Sequence, residues 1–252
     1  MDPAGMSSGS PLQDERYLRE RRSPQPGDPL YLHLADLQLA LAAAARGLAP
    51  GALLDLGSGG APYRALFGGA RYACADLAGT PGVDYVLDQE GRCDAPRGAF
   101  DAVLSTQVLE HVPDPGAYLR LCLELLRPGG ALLLSTHGLF EEHACPGDYR
   151  RWTAEGLRRE LAQAGFEVRR VSKLSTEGRA LAFFLRTRLQ ALTGGRKDAW
   201  GLVFRALHRL LVRAAGAFDR WCDLRLGDCR VVDATAPGHA FYVALLAEAR
   251  RP

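Results

Sequence analysis

The sequence predicts a doubly wound α/β fold: a mostly parallel sheet of seven strands with helices on both faces and a helical insertion before the last strand. Three observations carry this. Short apolar runs alternate with helical patterns of 10 to 15 residues, the signature of βαβ units. The first apolar run, Leu53-Leu54-Asp55-Leu56, passes straight into the glycine loop Gly57-Ser58-Gly59-Gly60, as at the ligand-binding edge of such a sheet. Residues 177–230 then break the rhythm with a long helical pattern.

Composition agrees with a globular chain. The 252 residues are 47% apolar and 24% charged, with 31 basic against 29 acidic side chains. A net charge of +2 argues against a surface built to read nucleic acid. No run of 18 apolar residues occurs, and Met1 to Pro11 lacks the apolar centre of a signal peptide. The six cysteines show no C-x-x-C pair and no zinc-like cluster, so no metal is expected. They read as reduced thiols of a cytoplasmic protein.

The elements follow in order. Residues 1–27 are expected to be disordered or extended. Asp28 and Pro29 are placed to open a helix carrying Leu30, Leu34, Leu37, Leu41 and Ala44 on one face. A core over 28–176 then holds strands at Ala52–Leu56, Tyr72–Leu77, Tyr85–Leu87, Phe100–Ser105, Ala131–Ser135 and Phe166–Val171. Asp114-Pro115 starts one intervening helix, which Pro128-Gly129-Gly130 stops, and Thr153 caps another. Residues 231–252 return to the core as the closing strand, centred on 239–247.

The glycine loop is not a dinucleotide fingerprint. Gly57 and Gly59 fill the first two positions of G-x-G-x-x-G, but Pro62 takes the third and has no N–H to offer a pyrophosphate. Asp55 just before the loop would repel a diphosphate and suit an ammonium. Asp76 lies 19 residues after Gly57 at the end of the second strand, where an acid receives ribose hydroxyls. The pattern points to a ligand joining an amino acid to a nucleoside.

Four motifs in order, Leu53-Leu54-Asp55-Leu56-Gly57-Ser58-Gly59, Ala73-Cys74-Ala75-Asp76-Leu77, Phe100 through Thr106-Gln107-Val108-Leu109-Glu110-His111-Val112, and Leu126-Arg127-Pro128-Gly129-Gly130, resemble the class I S-adenosylmethionine-dependent methyltransferases, of the type-11 small-molecule kind. The resemblance implies a Rossmann-like core and S-adenosyl-L-methionine as cofactor. It places the backbone from Gly57 to Gly60, Ser58 included, around the methionine part, with Asp55 beneath its amino group. Asp76, followed by Leu77, would take the ribose hydroxyls. Asp88 and Gln89 would meet the adenine amino group, and Thr106 and Gln107 would face the sulfonium.

Methyl transfer from a sulfonium needs alignment above all, and a base only where the acceptor must lose a proton. Candidate bases are His111, His137 and His143, each of which could equally be a packed, hydrogen-bonded histidine. Asp148-Tyr149-Arg150-Arg151-Trp152-Thr153 resembles a run in relatives of polysaccharide and natural-product pathways. There Asp148, Tyr149 and Arg151 would hydrogen-bond a polyol and Trp152 would stack on it, or Tyr149 and Trp152 anchor the next helix in the core. The acceptor expected is a small molecule: a sugar, a lipid-linked glycan or a natural product, methylated on oxygen, with nitrogen and carbon left open. A non-catalytic S-adenosylmethionine-binding protein and an NAD-dependent oxidoreductase are the competing readings. The insertion carries Leu181, Phe184, Leu185, Leu189 and Leu192, then Leu202, Leu207, Leu210 and Leu211, interleaved with Arg179, Arg186, Arg188, Arg205, Arg209 and Arg213. It reads as a cap over the site, as a homodimer contact, or as a basic amphipathic surface for peripheral membrane contact.

Overall fold

The computed structural model describes residues 15–88, 90–143, 147–194 and 201–252. The expected disorder of residues 1–12 lies outside them, as do Gln89, Cys145 and the side chains of Leu202 and Arg205.

Five strands run parallel: β1 (Ala52–Leu56), β2 (Arg71–Asp76), β3 (Tyr85–Val86), β4 (Phe100–Thr106) and β5 (Leu126–His137). The antiparallel strands β6 (Glu167–Thr176), β7 (Val231–Asp233) and β8 (Tyr242–Arg250) complete one sheet in the order β3-β2-β1-β4-β5-β8-β6-β7. Every residue of β1 is buried, as a central parallel strand covered on both faces must be. Helices α3 (Pro115–Leu125) and α4 (Ala154–Gln163) cover one face through Tyr118, Leu119, Cys122, Leu125, Leu157 and Leu161. Helix α2 (Tyr31–Arg46) covers the other through Leu37, Leu41 and Ala44. Asp114 caps α3 by accepting the Ala117 N–H at 2.9 Å, and Thr153 caps α4 by accepting the Gly156 N–H at 3.0 Å.

Several expectations need correction. Residues 15–22 are not disordered or extended: Glu15–Arg22 is helix α1, braced by an Arg16–Glu20 pair one turn apart. Asp28 does not cap α2, which starts at Tyr31. Its carboxylate instead receives the Arg19 guanidinium at 2.6 and 2.8 Å and the Gln25 N–H at 2.7 Å. The sheet has eight strands, not seven, because Val231–Asp233 pairs with the outer edge of β6. Strand β5 begins five residues before Ala131, so Pro128-Gly129-Gly130 sits within it at a register shift, with Gly129 at φ +75°. Strand β6 runs on past Val171 to Thr176.

The insertion forms two helices, α5 (Glu177–Gly194) and α6 (Gly201–Arg225). Ion pairs fasten them to α2. Arg179 is fully buried and grips Asp36 with two hydrogen bonds, Nε to Oδ2 at 2.6 Å and Nη2 to Oδ1 at 2.9 Å. Its Nη1 lies 3.0 Å from Asp223 of α6, and Arg186 pairs with buried Asp219 at 2.8 Å. Asp36 also accepts hydrogen bonds from Ser175 and Arg230. Two of the six arginines expected on a basic surface are therefore structural.

Candidate functional site

The site grows from the carboxyl ends of β1, β2 and β4. The glycine loop turns sharply after β1, with Gly57, Gly59 and Gly60 at φ +78°, +53° and +85°. Only a residue without Cβ takes these angles freely. Gly57 is also crowded: a Cβ there would lie 2.4 Å from Val108 Cγ2. Gly57 and Ser58 donate their N–H groups to the Ala75 carbonyl, and Gly59 donates to Asp76 Oδ2 at 2.6 Å. The loop amides thus hold it against the end of β2. What the loop presents to a ligand is a surface without side chains, rather than a row of free donors.

Asp76 is buried, and its other oxygen accepts the Leu77 N–H at 2.7 Å. A carboxylate has about four acceptor sites, so two remain for a diol. Asp55 lies beneath the loop, fully buried. Tyr72 donates its hydroxyl to Oδ2 at 2.6 Å, and Oδ1 has no partner. Burial pushes the Asp55 carboxyl up to about 7, and the nearby Asp76 charge adds to this against the Tyr72 hydrogen bond. An ammonium would supply the missing donor and favour the ionised form.

Across the loop, Gln107 sits at φ +56°, uncommon for a residue with a side chain. It is held there by its N–H to the Ser135 carbonyl at 3.0 Å and its Nε2 to Ser135 Oγ at 3.1 Å, while its Oε1 is buried without a partner. Thr106 ends β4 beside it, half-buried. Two orphaned acceptors, a loop without side chains and a paired acid at the ribose position fit S-adenosylmethionine, which carries an ammonium, a diol and a cationic sulfonium. Asp88 is less ready. It already accepts the Arg92 N–H and Nε at 2.8 and 2.7 Å, which hold its carboxyl below the usual range despite some burial. An adenine amino group would have to share it with Arg92.

The three candidate histidines do come together. The His137 ring lies 5.3 Å from His143, which lies 4.9 Å from His111. A fourth, His33 of α2, lies 5.6 Å from His137. His111 Nδ1 meets the Gly147 carbonyl at 2.5 Å. His137 stacks on Phe140 at 4.0 Å, and Phe140 stacks in turn on Phe183 of α5. Burial lowers all four: His33 to about 3, His137 well below its ordinary value, and His111 and His143 less. They are neutral imidazoles near pH 7.

The polar run after the cluster is largely closed on itself. Asp148 and Arg151 form a two-pronged ion pair at 2.5 and 2.6 Å, which draws the Asp148 carboxyl down to about 2. Arg151 also donates to the carbonyls of Phe140 and Glu141, so it braces the loop before it. Trp152 is buried in the core under β5 and α4 and offers no stacking plate. Of the four residues expected to meet a polyol, only Tyr149 is exposed, at 55%.

Sequence reasoning passed over Glu110, Arg22 and Tyr72. Glu110 is fully buried between Thr136 Oγ1, which donates to its Oε2 at 2.8 Å, and His137 Nε2, 3.2 Å from its Oε1. Burial raises its carboxyl to about 7. Its place between Leu109 and His111 drew attention to the histidine, although a carboxylate beside a leucine in the turn after β4 was itself the signal. Arg22 of α1 reaches the Gly60 carbonyl at 3.4 Å, so it brings a cation to the glycine loop that could meet a cofactor carboxylate. No sequence period marks it.

Comparison with known proteins settles the class. A methyltransferase-domain family model matches residues 31–171, more than half of the chain. The chain belongs to this family, the class I S-adenosylmethionine-dependent methyltransferases. It is 41% identical over 110 residues to a ubiquinone biosynthesis O-methyltransferase of Xanthomonas campestris pv. campestris (strain B100), covering 37% of this chain and 46% of that protein. A shorter stretch of 55 residues is 53% identical to the enzyme of the same name from Xanthomonas axonopodis pv. citri (strain 306), covering 21% of this chain and 23% of that protein. The match thus spans about half or less of the length of these curated relatives. Among solved structures, the cyclase SpnF superposes with a TM-score of 0.55 at 23% identity, covering 90% of this chain and 84% of that one. Phosphoethanolamine N-methyltransferase 2 of Haemonchus contortus superposes at 0.54 with 17% identity, covering 94% and 56%. These two share the fold.

The lone Asp55 oxygen carries a prediction. Attraction for the cofactor ammonium needs the ionised carboxylate, so affinity falls as pH drops through about 7. It falls again as the ligand's own amino group loses its proton, near 7.7–8.0 for an α-amine. Titration calorimetry with S-adenosylmethionine should show a narrow maximum between these limits. Asp55→Asn should flatten the acid side, and a parental acid side in that variant would exclude Asp55 as the ammonium partner.

Proposed function

We infer that the chain transfers the methyl group of S-adenosylmethionine to a hydroxyl of a small molecule bearing an aromatic or other flat apolar ring. The carrying observation is the stack of His137, Phe140 and Phe183 at the carboxyl end of β5, beside a set of neutral imidazoles. A phenol or hydroxylated ring would lie against Phe140, the half-buried ring of the stack, with Phe183 and His137 buried behind it, while its hydroxyl reached a histidine of the cluster. The closed Asp148–Arg151 pair and the buried Trp152 weigh against a sugar and favour the natural-product side of the expectation. The Xanthomonas relatives are O-methyltransferases, which supports the choice of oxygen.

The cofactor, once bound, supplies a methyl group already activated on a sulfonium. Asp55, Asp76, Gln107 and the loop Gly57–Gly60 hold it. The base takes the hydroxyl proton as the oxygen attacks. A neutral histidine suits that step, and the candidates in order of motif context are His111, His137 and His143.

Radiolabelled methyl transfer to a panel of phenols, catechols and sugars tests the reading. Transfer to phenols or catechols is expected, and transfer confined to sugars or amines would overturn it. At saturating cofactor, the acid limb of kcat should lie below the ordinary 6.5, because burial lowers every histidine of the cluster. Replacing the true base by Ala should lower kcat by about 10²–10⁴. A limb near 7 that survives all three histidine variants and disappears in Glu110→Gln would assign the proton to Glu110 instead.

A further inference from the structure

Helix α6 leaves a long apolar face uncovered. Val203, Leu207, Leu210, Ala214, Ala217, Trp221 and Leu224 are all exposed, Leu210 at 62% and Leu224 at 84%. Their spacing is four, three, four, three, four, three, so they form one straight stripe on the helix, about 32 Å long at 1.5 Å per residue. One flank of the stripe turns into the protein through Ala215 and Cys222. The other flank carries Arg209, Arg213 and Arg220, all exposed, with Arg225 at the far end. Helix α5 adds exposed Leu181, Leu185 and Leu192. Exposed large apolar groups in such number mark an interaction surface.

Charge identifies the occupant. The only acidic residues of α6, Asp219 and Asp223, turn inward to Arg186 and Arg179. Among the described residues, no carboxylate pairs with Arg209, Arg213, Arg220 or Arg225. A second copy laid antiparallel along the stripe would bring the two arginine flanks together, with no acidic residue of α6 on that face to offset them. An anionic lipid surface meets both requirements at once: acyl chains for the stripe and phosphates for the arginines.

We propose that helices α5 and α6 form a membrane-docking face that lays the Val203–Leu224 stripe into the interface of an anionic phospholipid bilayer. The face lies outside the cofactor site and stands independently of the acceptor proposed above. It has a bearing on that acceptor all the same. Phe183, on the inner side of α5, stacks toward His137, and Phe184 and Phe241 continue the ring contacts from it at 5.1 and 6.2 Å. The wall of the histidine cluster is thus one helix away from the docked surface.

The test is sedimentation of the whole chain with vesicles of phosphatidylcholine, with and without phosphatidylglycerol. Binding is expected to the phosphatidylglycerol vesicles and to weaken with added salt. Leu207→Ser/Leu210→Ser should reduce it by about tenfold or more. Arg213→Gln/Arg220→Gln should remove the preference for phosphatidylglycerol while leaving circular dichroism and urea unfolding at parental values. All four side chains are exposed, so the core is untouched in either variant. Absence of parental binding, equal binding to both vesicle types, or unchanged binding in both variants would each overturn the proposal. So would a stable dimer in lipid-free solution that Leu207→Ser/Leu210→Ser converts to monomer.

Discussion

Replacing Arg179 with methionine is expected to cost about 3–5 kcal/mol of folding stability, because it strips a fully buried carboxylate, Asp36, of its two-pronged partner. For a chain of this size that corresponds to a fall in Tm of about 10 °C. The cost arises from the charge left behind rather than from the strength of the pair. The double variant Arg179→Met/Asp36→Leu, which removes both charges and keeps the volume, should therefore recover much of the loss. Urea unfolding of the two variants decides the matter. A loss below about 1 kcal/mol in Arg179→Met would mean that Arg230 and Ser175, the other donors to Asp36, suffice without it.

Gly57→Val should abolish cofactor binding. The substitution forces a β-branched residue to φ +78° and drives a Cβ to within 2.4 Å of Val108. Val108 can yield only by moving the turn after β4, where Gln107 is already held at positive φ. The strain alone is worth about 1–3 kcal/mol. Beyond it, the new side chain occupies the bare surface against which the methionine part would lie. In thermal unfolding, the parent should gain about 2.7 kcal/mol at a cofactor concentration 100 times Kd, and the variant none. A parental gain in Gly57→Val would move the cofactor away from this loop.

What the sequence made legible was local. Strand, glycine loop and helix stand next to one another between Leu53 and Phe67, and Asp76 follows at a fixed distance set by one βα unit. The parallel half of the sheet and the cofactor end of the site could therefore be read in order. The acceptor end could not, because it is assembled across the chain. His33 meets His137 from α2, and Phe183 reaches the same place from α5. The Asp36–Arg179 pair joins residues 143 apart, which no window of sequence displays. Residues within one run were also misjudged where partners decide the role. Trp152 and Arg151 look like ligand contacts until the core and Asp148 claim them. Helix α1 was missed because eight mostly charged residues show no apolar period; it is held by the Arg16–Glu20 and Arg19–Asp28 pairs instead.

The position of β8 sets the order in which the molecule can be completed during synthesis. The strand lies inside the sheet, between β5 and β6 and antiparallel to both, yet it is formed by residues 242–250. Until those residues have left the ribosome, β5 and β6 each present an open edge of unpaired amides and carbonyls, and the nascent chain carries them through the whole of α5 and α6. A chain interrupted before Tyr242 would hold two unpaired edges in place of a finished sheet. Nonsense variants in this stretch should accordingly be recovered as aggregates, bound by chaperones, rather than as shortened soluble protein.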